Sequence, residues 1–177
     1  KNYRLVLLCK DATGYRNLCE IVSRAYSEGF HFKPRADREL IEAHSSGLIA
    51  LSSGLKGEVG YHCAQNRPDR AQAATEWLLK AFKDDLYLEV QENGLPAQVQ
   101  ANSLICEIGK TFSIPLVATA DVHYIEPKHG VSQEALMCIG AGRTLDEGRT
   151  VRLNPDEMWL KDFETIKSQF HWCPEAI

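Results

Sequence analysis

The chain has 177 residues, a formal net charge of −4 at pH 7, and hydrophobic and charged fractions of 44% and 25%. This composition is typical of an ordinary soluble globular domain, and it gives no global electrostatic case for binding nucleic acid. No apolar run approaches the roughly 18 to 20 residues of a membrane helix, so we expect no membrane partner. The six cysteines stand singly, which favours the reduced thiols of a cytoplasmic protein over a disulfide framework or a zinc knuckle.

Short apolar runs bounded by polar residues, glycine or proline predict four strands that are buried on both faces, over residues 5–9, 48–52, 86–90 and 115–118. Apolar residues at helical spacing predict helices over 13–26, 69–83 and 96–113. The last forty residues change character, and they predict an irregular arm over 145–161 with one short strand, followed by a helix over 162–170.

The alternation of strands and helices indicates an α/β fold with a parallel sheet and right-handed crossovers. Four strands cannot close a barrel of the usual size, so we expect further strands outside this sequence. The chain also begins without Met and within a predicted strand, which favours a piece of a longer protein.

An Asp-x-His pair follows the fourth predicted strand, in the stretch ATADVHY. Strand alternation places residues two apart on the same side, so Asp121 and His123 could face one metal ion. A hydrogen bond between carboxylate and imidazole explains the same pattern, and the pair alone leaves both interpretations open. Four further histidines occur in unlike contexts that favour surface or capping roles over metal ligation: His44, His62, His129 and His171.

Glu89 lies inside the apolar third strand. Because an isolated buried acid is costly, we expect its side chain to face a polar barrel interior, either as part of a site or paired with a Lys or Arg. The Gly-rich stretch SSGLKGE after the second strand could offer backbone amides to an anion at the next helix. It lacks the spacing of a nucleotide-binding P-loop.

The stretch GFHFKPRAD places two cations, Lys33 and Arg35, beside two phenylalanines. One interpretation is a local DNA contact, in which the cations bind phosphate and the aromatic rings anchor the loop. The alternative is a solvated basic loop that faces the acidic remainder of the protein. The sequence favours the second slightly.

Five longer stretches occur in the order LVLLCKDATGYRNLCEIVSRAYSEGFHFKPRADRELI, GLIALSSGLKGEV, YLEVQENGLP, IPLVATADVHY and ALMCIGAGRTLDE. In order and spacing they resemble the amino-terminal polymerase-and-histidinol-phosphatase (PHP) domain of bacterial replicative DNA polymerase III alpha subunits. The resemblance implies a distorted (β/α)7 barrel, of which this chain is roughly the later two thirds. It also implies a PHP portion over residues 1–150 and, over 151–177, an arm and helix that lead toward a polymerase core.

In metal-binding members of this family, ligands from several strand ends hold up to three metal ions, and four of those ligand positions fall in this chain. Asp121 and His123 match the closing Asp-x-His of the pattern, whereas Arg4 stands where the family has His and Gly54 where it has Cys. A guanidinium repels a metal ion and glycine offers no side-chain donor. The resemblance therefore implies a relic site with two remnant ligands, and we expect an ion pair of Arg4 with Asp121, direct or through water.

The resemblance further implies that this part acts as a structural scaffold and as a docking surface for a separate proofreading exonuclease. It implies no catalytic residue and no cofactor here, because Mg²⁺ and DNA-directed DNA synthesis would belong to a polymerase core beyond the chain. A sliding clamp and DNA would be partners of the whole protein. Two alternatives remain: a metal-dependent phosphoesterase or editing exonuclease of the PHP superfamily, and the error-prone paralogue of the alpha subunit.

Overall fold

The structure is a computed structural model that describes residues 1–148 and 157–177. Of the irregular arm predicted over 145–161, residues 149–156 lie outside the described residues, and residues 145–148 are helical rather than irregular. The first half contains β1 (Val6–Cys9), α1 (Ala12–Ser27), α2 (Arg38–Ala43), β2 (Leu48–Leu51), α3 (Glu58–Ala64) and α4 (Pro68–Phe82). There follow β3 (Leu86–Gln91), α5 (Pro96–Phe112), β4 (Leu116–Thr119), α6 (Gly130–Ala141), α7 (Leu145–Gly148) and α8 (Phe163–Gln169).

The α/β fold class and the positions of the predicted strands are confirmed, since each of the four lies within a residue or two of a strand in the structure. The helices predicted over 13–26, 69–83, 96–113 and 162–170 correspond to α1, α4, α5 and α8. Pro68 and Pro96 stand at the first positions of α4 and α5, where the missing N–H costs no intrahelical hydrogen bond. The four strands form one open sheet in the order β1-β2-β3-β4, which is consistent with part of a barrel.

The direction of β1 corrects the prediction of an all-parallel sheet. The pairs β2–β3 and β3–β4 are parallel, but β1 runs antiparallel to β2, with Val6 opposite Leu51 and Cys9 opposite Leu48. Two helices, α1 and α2, connect these strands, so the chain runs out along α1 and returns along α2 to the end at which it left the sheet. The short helix α2 was not predicted, and the antiparallel pairing depends on it.

The return to β2 requires a close approach of two glycines. A Cβ on Gly14, in the first turn of α1, would lie 1.8 Å from the carbonyl oxygen of Gly47, which precedes β2. Asp11 caps α1 by accepting a hydrogen bond from the Gly14 N–H at 2.8 Å. The same glycine therefore takes part in the helix cap and in the close approach to Gly47. The start of α1 is thereby held against the start of β2.

One face of the sheet packs against helices to form the core. Leu48 and Ala50 of β2 and Leu86, Leu88 and Val90 of β3 are buried there. The helices α1, α3, α4 and α5 supply the opposite wall with residues such as Ile21, Val59, Leu78 and Ile105. On the other face the edge strand β1 is open, with Val6 39% and Leu8 47% exposed.

The C-terminal segment joins the same core. Phe170 and Cys173 are buried in it, and Leu160 donates its backbone N–H to the Tyr124 carbonyl at 2.9 Å. No helix among the described residues combines the length and the apolar character that crossing a bilayer requires.

The expectation for the isolated histidines is confirmed for three of the four. His44 and His171 bond nearby backbone carbonyls at helix ends, and His129 forms a capping box with Glu126. The expectation is wrong for His62, which is buried in α3 and lies 3.4 Å from the hydroxyl of Tyr3. Burial lowers the pKa of the His62 imidazole. This places it among the core residues of α3.

We predict that the 177-residue chain alone self-associates through β1. This strand leaves its outer backbone groups unpaired at the sheet edge and exposes apolar side chains, a combination that invites pairing with a second copy. Light scattering after size exclusion should detect dimers or larger species, and Leu8→Lys should reduce them because a charge on an edge strand opposes pairing. A wild-type chain that is monomeric and melts cooperatively at the same concentration would contradict the prediction.

Candidate functional site

The polar residues of the sheet meet at the carboxyl ends of β2, β3 and β4. The antiparallel direction of β1 brings its first residues to the same edge, where the backbone N–H of Arg4 donates to the carbonyl of Lys56 at 2.9 Å. The sequence expectation that Arg4 and Asp121 both lie near strand ends at one edge therefore agrees with the topology.

Glu89 lies at the centre of the polar residues at these strand ends. It is 5% exposed, and its carboxylate accepts hydrogen bonds from the Ser53 backbone N–H at 2.9 Å and from Nε2 of Gln91 at 2.9 Å. The hydroxyl of Thr119 donates a further, short hydrogen bond to it. Its own backbone N–H donates to the Ser52 hydroxyl at 2.8 Å. One side chain thus links the ends of three strands.

These contacts correct one expectation for Glu89. A Lys or Arg was expected as its partner if it was not part of a site, but no ion pair of Glu89 occurs within residues 1–148 and 157–177. Neutral donors satisfy it instead. Hydrogen bonds to a buried carboxylate are of the stronger, charge-assisted kind, and they replace the cation that was expected.

Gln91 extends the network to helix α5. Besides Glu89, its Nε2 reaches the hydroxyl of Thr119 at 3.1 Å, and its backbone carbonyl accepts a hydrogen bond from Asn102 at 2.8 Å. Asn102 in turn accepts from Gln98 at 2.8 Å. Gln91 and Glu89 lie on the same side of β3 because strand residues two apart share a face. That spacing is the signal from which Gln91 could have been found.

Gly54 faces this network. Its φ is +48°, a left-handed conformation that favours glycine, and a Cβ there would lie 2.4 Å from Oε1 of Gln91. The space that a larger side chain would need is therefore filled by the Gln91 amide.

Asp121 forms its direct ion pair with a lysine, and the direct pair expected with Arg4 does not form. Its carboxylate lies 2.7 Å from Nζ of Lys56, a residue that the sequence analysis missed, and Arg4 makes no ion pair with it. Lys56 is the last residue of the short turn after β2, and no pattern in the sequence marks it as the partner. The pair is partly exposed, so its electrostatic contribution to stability is modest.

The structure brings Asp121 and His123 together, with Nε2 of His123 3.5 Å from Oδ1 of Asp121. Strand alternation is not the cause, because β4 ends at Thr119 and Asp121 has a left-handed φ of +44°. A short polar side chain such as Asp tolerates that conformation better than most. Across the described parts of the chain, no group of three or more His, Cys, Asp or Glu side chains is placed to hold a metal ion.

The basic loop lies beside this edge. Lys33 and Arg35 line a cavity of about 960 Å³ whose walls also include Arg4 and Ser52. The Gly-rich stretch after β2 forms a short 3-10 turn over Gly54–Lys56, and α3 then begins at Glu58. Glu58 pairs with Arg38 at 2.8 Å. An acidic side chain therefore occupies the helix start at which the sequence suggested that an anion could bind.

Comparisons with known proteins assign the chain to a family. The PHP domain family matches residues 1–93, which is more than half of the chain. The chain belongs to the PHP domain family. The matched residues include β1, β2 and β3 and therefore Arg4, Gly54 and Glu89, whereas Asp121 and His123 lie beyond them.

The PHP chain is also similar to several DNA polymerase III alpha subunits along its whole length. That of Treponema pallidum is 38% identical over 176 residues, or 99% of this chain. Those of Thermus aquaticus and Aquifex aeolicus are 39% and 41% identical over 98% and 92% of it. The PHP chain spans about 15% of the length of these relatives.

We predict that Gly54 and Gln91 are energetically coupled. Gly54→Ala should lower the free energy of unfolding by about 2 kcal/mol, through its left-handed φ and its contact with Gln91. Adding Gln91→Ala removes the contact, so the double variant should be more stable than the sum of the single changes by at least about 0.5 kcal/mol in urea unfolding.

Gly140→Ala is the matched control for this experiment. It lies within α6 and a Cβ there meets nothing within 4 Å, so the change should be neutral or slightly stabilising. Additive energies for Gly54 and Gln91, or a Gly54→Ala variant as harmless as the control, would contradict the coupling.

Proposed function

We propose that this chain is the PHP portion of a DNA polymerase III alpha subunit and that it serves as a structural scaffold with a degraded metal site. The full-length protein would carry out DNA-directed DNA synthesis in the cytoplasm, with Mg²⁺ bound in a polymerase core outside this chain. The similarity to alpha subunits along 92–99% of the chain supports the assignment.

The observation that carries the scaffold proposal is the hydrogen-bonding of the residues at the sheet edge. The oxygens of Glu89 are used by Ser53, Gln91 and Thr119, which joins the strand ends directly. A buried carboxylate that accepts three hydrogen bonds from protein donors and links three strands suits a structural role.

The donor set at the same edge does not fit a bound metal ion. The ammonium of Lys56 lies 2.7 Å from Asp121, where it already supplies the positive charge that a metal would bring. Gly54 offers no side-chain donor, and Gln91 occupies the space beside it. Asp121 and His123 are therefore remnant ligands, and among the residues that the structure describes they do not supply the four or more donors that a divalent ion needs.

The residues at the ligand positions also argue against the alternative of a metal-dependent phosphoesterase or editing exonuclease. That activity would need His at position 4 and Cys or His at position 54, where the chain has Arg4 and Gly54. The error-prone paralogue would share this scaffold, and it would be distinguished by the parts of the protein outside this chain.

We also propose a proofreading exonuclease as a direct partner, with the sliding clamp and DNA as partners of the full-length protein. Helix α6 supports a protein partner, because Val131, Leu136 and Ile139 are 72%, 63% and 74% exposed. Exposed apolar residues on one helix are a common feature of protein-binding surfaces.

The metal content of the full-length protein tests the proposal. Protein purified without chelator should contain well under one zinc or manganese ion per chain by elemental analysis, because Lys56 already neutralises Asp121. It should also show no metal-dependent nuclease activity once the exonuclease partner is removed. Near-stoichiometric metal that is lost in Asp121→Ala, but kept in the exposed control Asp69→Ala, would overturn the proposal. It would support the alternative of a metal-dependent enzyme.

A further inference from the structure

The cavity beside the sheet edge is positively charged although the protein as a whole carries a net charge of −4. It lies between the first residues of the chain, the loop that joins α1 to α2, the start of α3, and largely apolar walls from α1 and α4. Its basic lining residues are Lys1, Arg4, Lys33, Arg35 and Arg38, and its acidic ones are Asp37 and Glu58. Such a local excess of one charge attracts ligands of the opposite sign.

The two acids do not neutralise this excess. Glu58 is engaged by Arg38 at 2.8 Å, and the carboxylate of Asp37 caps α2 by accepting the Leu40 N–H at 2.8 Å. Within the described residues, Arg4, Lys33 and Arg35 form no ion pair. Three cations therefore face the cavity with their charge available to a ligand.

An exposed aromatic side chain stands directly beside two of these cations. Backbone pairing of His31 with Lys33 makes a tight turn, and Phe32 at its tip is 86% exposed with a left-handed φ of +60°. A bulky residue seldom adopts that conformation, and retained backbone strain of this kind concentrates at binding sites. The rings of His31 and Phe32 are nearly perpendicular, with centroids 4.7 Å apart, and the high exposure of Phe32 leaves most of the phenyl ring accessible to a planar ligand.

We infer that this cavity and loop bind single-stranded DNA, with phosphates on Lys33, Arg35 and Arg4 and an unstacked base on Phe32. Cations that follow the backbone, next to an aromatic ring that stacks on a base, are the two components of single-strand binding. The assignment of DNA as the ligand rests on the proposed function.

Photo-crosslinking of the full-length protein tests this inference locally. A thymidine oligonucleotide that contains 5-iododeoxyuridine should crosslink to the peptide over residues 28–38, at Phe32 or Phe30, as mapped by mass spectrometry. Phe32→Ala should reduce the yield in this peptide by roughly five- to a hundredfold, the range for loss of one stacked base. Crosslinks elsewhere in the protein should not change.

Removing two charges gives a second readout. In Lys33→Ala with Arg35→Ala, the yield at this peptide should fall, and its logarithmic dependence on salt should become shallower by about 1.4, or about 0.7 for each phosphate contact. The control pair Arg70→Ala with Lys110→Ala removes the same charge from exposed positions outside the cavity and should leave both quantities unchanged.

The inference is overturned if no crosslink forms at residues 28–38, if the double variant behaves like its control, or if duplex DNA crosslinks equally well. None of these outcomes bears on the scaffold proposal, which is tested separately by the metal content.

Discussion

The hydrogen bonding of Glu89 is the constraint on which this end of the molecule depends. A buried carboxylate costs free energy unless it is satisfied, and here the donors come from the end of β2, from β3 itself and from β4. Because these donors must converge on one side chain, the three strands cannot shift relative to one another without leaving it unpaired. The carboxyl ends of the three strands are held together for that reason, and Gly54 and Lys56 lie next to them.

The directions of the same strands also explain why cations meet in the cavity. The antiparallel entry of β1 carries Arg4 to the ends of the parallel strands, while the returning pair α1 and α2 brings Lys33 and Arg35 alongside. Lys56 engages Asp121 directly. The backbone positions of the cations in the cavity are therefore set by the fold. In our proposal their charge serves contact with a DNA strand, whereas Glu89 and its neutral donors serve the scaffold.

Much of the fold could be predicted from the sequence, because the buried strands and the long helices α1, α4 and α5 carry strong apolar patterns. The short helices α2 and α3 could not, since six or seven residues show too little periodicity, and without α2 the direction of β1 was predicted wrongly. At the site, the Asp121–His123 pair was visible as a motif. Lys56 was not, because its contact with Asp121 joins residues 65 positions apart and is set by the turn after β2.

Thermal unfolding of the full-length protein and of its Glu89→Gln variant, each with chelator and with added zinc or manganese, tests the central claim most directly. If Glu89 braces the strand ends without a metal, the variant unfolds several degrees below the wild type because it loses charge-assisted hydrogen bonds. The difference between the two proteins is then the same with chelator and with added metal, because any Mg²⁺ site in the polymerase core is common to both, and the exposed control Glu76→Gln matches the wild type. A wild-type protein whose melting temperature falls with chelator to that of Glu89→Gln would contradict the account.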